Sequence, residues 1–76
     1  MENKRTFSRT WAWITLTRAG DEIDVRVEYK DGGDIAQGTI DPKTVDEDPI
    51  VLVSTSFSDD SFRLSESEIE WCKRTL

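Results

Sequence analysis

Histidine is absent from this 76-residue sequence, and cysteine occurs once, at Cys72. Without imidazole there is no Ser–His–Asp or Cys–His arrangement, no histidine base and no histidine-built zinc site. One thiol makes neither a thiolate metal cage nor an internal disulfide. Secreted domains of this size ordinarily carry several bridges, so the composition predicts the cytoplasm, or a host cytoplasm, as the compartment. Proline stands only at Pro42 and Pro49, and glycine occurs four times. No linker or low-complexity segment divides the chain, and one domain over 1–76 is predicted. The longest apolar run, residues 50–53, is too short to span a bilayer. The opening MENKRTFSRT lacks the apolar core of a secretory signal. These absences predict no catalytic residue, no cofactor, no metal and no membrane association.

Charge is abundant and unevenly placed. The net charge is −6, yet residues 1–18 carry Lys4, Arg5, Arg9 and Arg18 against Glu2 alone, a net of +3. Residues 41–70 carry nine acids against Lys43 and Arg63, a net of −7. Phosphate binding needs a basic stripe, so nucleic acid itself is set aside as the main partner. The basic stretch 1–8 reads as a flexible segment.

Two runs alternate with a period of two, the signature of half-buried strands. In residues 10–18, TWAWITLTR, Ala12, Ile14 and Leu16 share one face; Trp11, Trp13, Thr15 and Thr17 share the other. In residues 22–30, EIDVRVEYK, Ile23, Val25, Val27 and Tyr29 face inward, and Asp24, Arg26, Glu28 and Lys30 face water. The glycine turn between them makes a hairpin. A weaker strand follows over 35–40, where Gly38 suggests a bulge. Residues 50–57, IVLVSTSF, begin apolar on both faces and read as a central strand. A short return strand is expected over 61–64. Ser65 and Glu68 have the spacing of a capping box, and Ile69, Cys72 and Leu76 fall on one helical face. The predicted fold is α+β: an antiparallel β-meander of four to five strands with one short C-terminal α-helix packed on the sheet.

Asp31-Gly32-Gly33-Asp34 has neither the Walker pattern nor the EF-hand spacing and reads as a turn. Asp46-Glu47-Asp48 reads as solvated charge. Cys72, on the apolar helix face, reads as a small buried hydrophobe. What remains is surface. If Ile14 and Leu16 meet the core, Trp11 and Trp13 stand on the opposite, open face, where exposed indoles anchor interfaces. The other arrangement packs the helix on the indoles. Asp46, Glu47, Asp48, Asp59 and Asp60 would steer the chain toward a basic surface, such as that of a nucleic-acid-handling protein. An uncovered sheet edge could pair with a second copy to give a homodimer.

The strand EIDVRVEY (22–29), the acidic loop before IVLVSTSF and the helix opener LSESEIE (64–70) together resemble the layout of small phage-encoded proteins of the anti-CRISPR and anti-defence type. The resemblance implies a non-enzymatic protein-binding module, an inhibitor or adaptor of phage or mobile-element origin that binds a host protein complex. The alternative is a small self-associating structural or assembly subunit.

Overall fold

A computed structural model of the chain describes residues 3–74. Six strands follow one another: β1 (Lys4–Ser8), β2 (Ala12–Ala19), β3 (Glu22–Tyr29), β4 (Ile35–Ile40), β5 (Ile50–Ser54) and β6 (Asp59–Arg63). They form a single sheet in chain order, every neighbour antiparallel. The helix α1 (Glu66–Arg74) closes the chain. The meander and terminal helix agree with expectation, but the sheet has six strands rather than four or five. The added strand is β1, formed by the basic stretch expected to be loose. Its sequence, KRTFS, lacks an apolar alternation because it is an edge strand with only Phe7 packed against the core. Leu76, assigned to the helix face, lies outside the described residues.

The alternation in β2 and β3 becomes burial on one side. Ala12, Ile14, Leu16, Ile23, Val25 and Val27 are buried and pair across the hairpin, Ile14 with Val27 and Leu16 with Val25. The hairpin turns through Gly20 at φ 64°, a conformation costly for a side-chain-bearing residue. Ala36, Val51 and Val53 continue the same face. Pro42 and Val45 of the 41–49 connection, with Trp71 and Cys72 of α1, cover it. Among the described residues, no layer covers the other face of the sheet.

Between β4 and β5 the regular pairing reduces to Gln37 with Ser54. Gly38 is the close approach there: a Cβ at this position would collide with the backbone carbonyl oxygen of Leu52. Glycine is thus required for the strands to meet, rather than for an unusual φ.

The sheet is strongly coiled. Laid flat, β1 and β6 would stand about 24 Å apart, five spacings of ~4.8 Å. Instead Arg9, directly after β1, donates from Nη2 to the carbonyl oxygen of Arg63 at 3.0 Å. The Trp11 ring lies 5.8 Å from that of Phe62, and the Tyr29 hydroxyl donates to Asp60 at 2.8 Å.

The capping box at the start of α1 is formed. Ser65 N–H donates to Glu68 Oε1 at 2.8 Å, and Glu68 N–H donates to Ser65 Oγ at 3.3 Å. The Glu68 carboxylate is only 1% exposed, and it also receives Arg9, through Nε to Oε2 at 3.2 Å and Nη2 to Oε1. One carboxylate therefore caps the helix and ties it to the N-terminal strand. Acids in the first turn and Lys73 and Arg74 in the last complement the helix dipole.

Candidate binding surface

The uncovered face of the sheet is built from the alternate residues of every strand. The registers align Ser8, Trp13, Glu28 and Ile35 in one row across β1 to β4. The next row holds Thr6, Thr15, Arg26, Gln37, Ser54 and Asp59. Here Thr6 and Thr15 share a hydroxyl–hydroxyl bond of 2.9 Å. A shallow depression of about 450 Å³ lies over the middle strands, bordered by Lys4, Thr17, Asp24, Arg26, Gln37 and Thr39. Asp24, Arg26 and Glu28 make no ion pair with one another among the described residues, so the stripe of alternating sign is hydrated rather than bridged.

Apolar side chains frame this polar centre. Trp13, 42% exposed, carries the Lys30 ammonium 4.8 Å from its ring centroid. Lys30 Nζ also donates to Ser8 Oγ at 3.1 Å, which holds the cation over the indole. Ile35, Ile50 and Leu52 project from the same face, Leu52 at 74% exposure. Phe57, at the β5–β6 tip, is 92% exposed. The tip is well held: Thr55 Oγ1 accepts from Phe57 N–H at 3.1 Å and from Ser58 N–H at 3.0 Å, and Thr55 N–H donates to Ser58 O at 2.8 Å. A hydrogen-bonded turn thus presents an aromatic ring to water.

The two indoles expected together are parted. The chain bends at Thr10 and Trp11 before β2 begins. Trp11 consequently turns toward Tyr29 and Phe62, 5.8 Å from each ring, and remains 36% exposed. Trp13 alone belongs to the open face. Trp71, in α1, is buried in the core.

The five acids also divide. Asp46 pairs with Lys73 at 3.1 Å and secures the 41–49 connection to α1. Asp48 accepts from Ile50 N–H at 3.4 Å. Asp60 accepts from the Tyr29 hydroxyl. Burial, that hydrogen bond and the charges of Asp60 and Asp34 push the Tyr29 hydroxyl above its ordinary value. Glu47 and Asp59 are exposed, Asp59 beside the Phe57 turn. Of the N-terminal cations, Arg9 is engaged by Glu68, and the Arg5 guanidinium lies 5.6 Å from the Phe7 ring.

Leu52, Ile50 and Phe57 escaped the sequence reading. The run IVLVSTSF is apolar on both faces, which reads as burial on both sides. The strand does have a neighbour on each side, but only one of its faces is covered, so Ile50 and Leu52 meet water. Cys72 is fully buried; its thiol is pushed up to about 11 by burial and by the neighbouring Glu68 charge. Among the described residues no group of three acidic or cysteine side chains is placed to hold a metal ion, and no helix is long and apolar enough to cross a membrane. Comparison with protein families, with curated proteins and with solved structures finds no match.

Proposed function

We propose that this chain is a non-enzymatic protein-binding module, an inhibitor or adaptor of the phage or mobile-element kind that docks on a basic surface of a partner protein. The observation that carries the reading is the hairpin β5–β6. Ile50 and Leu52 on its outer face and Phe57 at its tip are solvent-exposed, held by a regular ladder and a bonded turn, with Asp59 beside them. Exposed apolar side chains on a rigid support gain most when a partner covers them, because little order remains to be imposed. Burial of one such side chain is worth about 1.5–3 kcal/mol. Surrounding carboxylates steer encounter toward positive surfaces and disfavour negative ones. Trp13 with Lys30 extends the contact along the same face, whereas Trp11 lies on the other side, against Tyr29 and Phe62.

Affinity capture from the source cell with wild type and with Phe57→Ser/Leu52→Ser tests the reading. The pair of substitutions is expected to leave the circular dichroism spectrum unchanged and weaken a specific partner by at least tenfold. Equal retention of every captured protein by both baits would refute it.

A further inference from the structure

The two edges of the sheet differ, and one of them is complementary to itself. In an antiparallel ladder, alternate residues turn their backbone N–H and C=O toward the neighbour and the rest turn theirs outward. Arg18 N–H donates to Asn3 O at 2.7 Å, and Arg9 N–H donates to Ala12 O at 2.7 Å. Those bonds set the parity: residues 3, 5, 7 and 9 point their backbone groups at β2. Lys4, Thr6 and Ser8 therefore point theirs away from the sheet, and among the described residues nothing pairs with them. The groove between this edge and α1, of about 470 Å³ and bordered by Thr6, Ser8, Ser67 and Glu70, is open.

The opposite edge is guarded. Thr55 N–H donates to Ser58 O and Leu64 N–H to Pro49 O, so Asp59, Ser61 and Arg63 face outward in β6. The carbonyl of Arg63 is already taken by Arg9 Nη2, and Asp59 places a charge at the other end. Charged and blocked edges resist strand addition. β1 has an end charge at Lys4, but among the described residues no side chain occupies its outward backbone carbonyls.

We propose that β1 is a homodimer seam, in which a second copy adds its own β1 antiparallel about a two-fold axis at Thr6. The proposal is independent of the docking role of the β5–β6 hairpin. The outward residues Lys4, Thr6 and Ser8 are symmetric about Thr6, so all three meet outward residues of the second copy: Lys4 faces Ser8, Thr6 faces Thr6, and Ser8 faces Lys4. Each such pair exchanges both backbone bonds. Between them, Arg5 of one copy stands across from Phe7 of the other, a cation facing an aromatic ring. A shift of two residues one way would set Arg5 against Arg5 and leave Ser8 unmatched, and a shift the other way would leave Lys4 unmatched, so this register alone pairs every outward residue of β1 without opposing like charges. A two-fold axis with an isologous interface is the commonest symmetry among homo-oligomers.

Sedimentation equilibrium and cysteine cross-linking test the seam. Wild type is expected to form a reversible dimer whose mass rises toward twice that of the monomer. A single-protomer mass maintained to about 1 mM, the weak limit of specific association, would overturn the proposal. Thr6→Pro removes an outward N–H and the exposed hydroxyl contact to Thr15 but no ladder bond to β2, so it should stay folded and become monomeric; Thr6→Lys, which sets like charges at the axis, should do the same. Persistence of the dimer in both variants would overturn it. On mild oxidation Thr6→Cys should cross-link to itself, because the Cα atoms of a bonded pair lie ~5.5 Å apart, within disulfide reach. Lys4→Cys alone and Ser8→Cys alone should not, being about 13 Å from their own copies, but a mixture of the two should. Equal self-cross-linking of all three single variants would refute the register. Wild type, whose Cys72 is buried, is the control.

Discussion

Removal of the Glu68 carboxylate is the sharpest test of how this fold is closed. Glu68 is buried, accepts from Ser65 N–H, and receives two nitrogens of Arg9 from 59 residues away. Loss of the cap alone, as in Ser65→Ala, costs about 1 kcal/mol. Breaking a buried ion pair by deleting one partner costs about 3–5 kcal/mol, because the other charge is left desolvated. Arg9 remains partly open to water, so the lower end applies and Glu68→Ala should cost roughly 3–4 kcal/mol with the cap included. A chain of this length has a total stability of about 4–11 kcal/mol, so the variant approaches unfolding. Urea denaturation followed by tryptophan fluorescence measures it, with Trp71 in the core as reporter. In a double-mutant cycle, Arg9→Met and Glu68→Ala together should cost less than the two added separately, by about 1.5–3 kcal/mol. If Glu68→Ala costs no more than Ser65→Ala, Arg9 contributes nothing and the account of closure fails.

Two further predictions concern the core. Gly38→Ala forces a methyl group onto the Leu52 carbonyl and should destabilise by about 1–3 kcal/mol or more, with loss of hydrogen-exchange protection concentrated in β4 and β5. Uniform loss across the sheet would contradict that localisation. Cys72 should resist thiol reagents at neutral pH unless the protein unfolds. Between its ordinary value near 9 and its folded value of about 11, the unfolded chain ionises while the folded chain keeps the proton. The folded state then binds more protons, so stability falls as pH rises across that window, by up to ~1.4 kcal/mol per pH unit. Wild type should lose about 2–3 kcal/mol more than Cys72→Ala between pH 8 and pH 11 in denaturant melts. Parallel losses in the two proteins would show that the thiol is not responsible.

What the sequence made legible was periodic or local. The alternations read over residues 10–18 and 22–30 are strands over 12–19 and 22–29 with Ala12, Ile14, Leu16, Ile23, Val25 and Val27 inward as expected, and the Ser65–Glu68 spacing is a formed cap. Three features were hidden because they depend on partners distant in the chain. β1 has no apolar rhythm, since its stability comes from the ladder to β2 rather than from its own burial. Trp11 and Trp13 share a face in an ideal strand, but the bend at Thr10 and Trp11 rotates the first indole onto Tyr29 and Phe62. Leu52 carries the apolar character of a covered strand, and only the three-dimensional arrangement reveals that none of the described residues lies above it. The acids illustrate the same limit: sequence counts Asp46 and Asp60 as surface charge, whereas the fold commits one to Lys73 and the other to Tyr29.

The clasp between Arg9 and Glu68 also dictates an order of events during synthesis. The meander adds each strand beside the one just made, so most of its pairing can form while translation continues. The clasp cannot, because its acidic half follows Arg9 by 59 residues and lies beyond all six strands. Until Glu68 emerges, the coiled sheet is held by Trp11–Phe62 and Tyr29–Asp60 without this clasp, and its inner face lacks the cover of Trp71 and Cys72. Slowing translation across residues 64–74 should therefore lengthen the interval in which this protein is vulnerable, whereas slowing it across residues 4–8 should not.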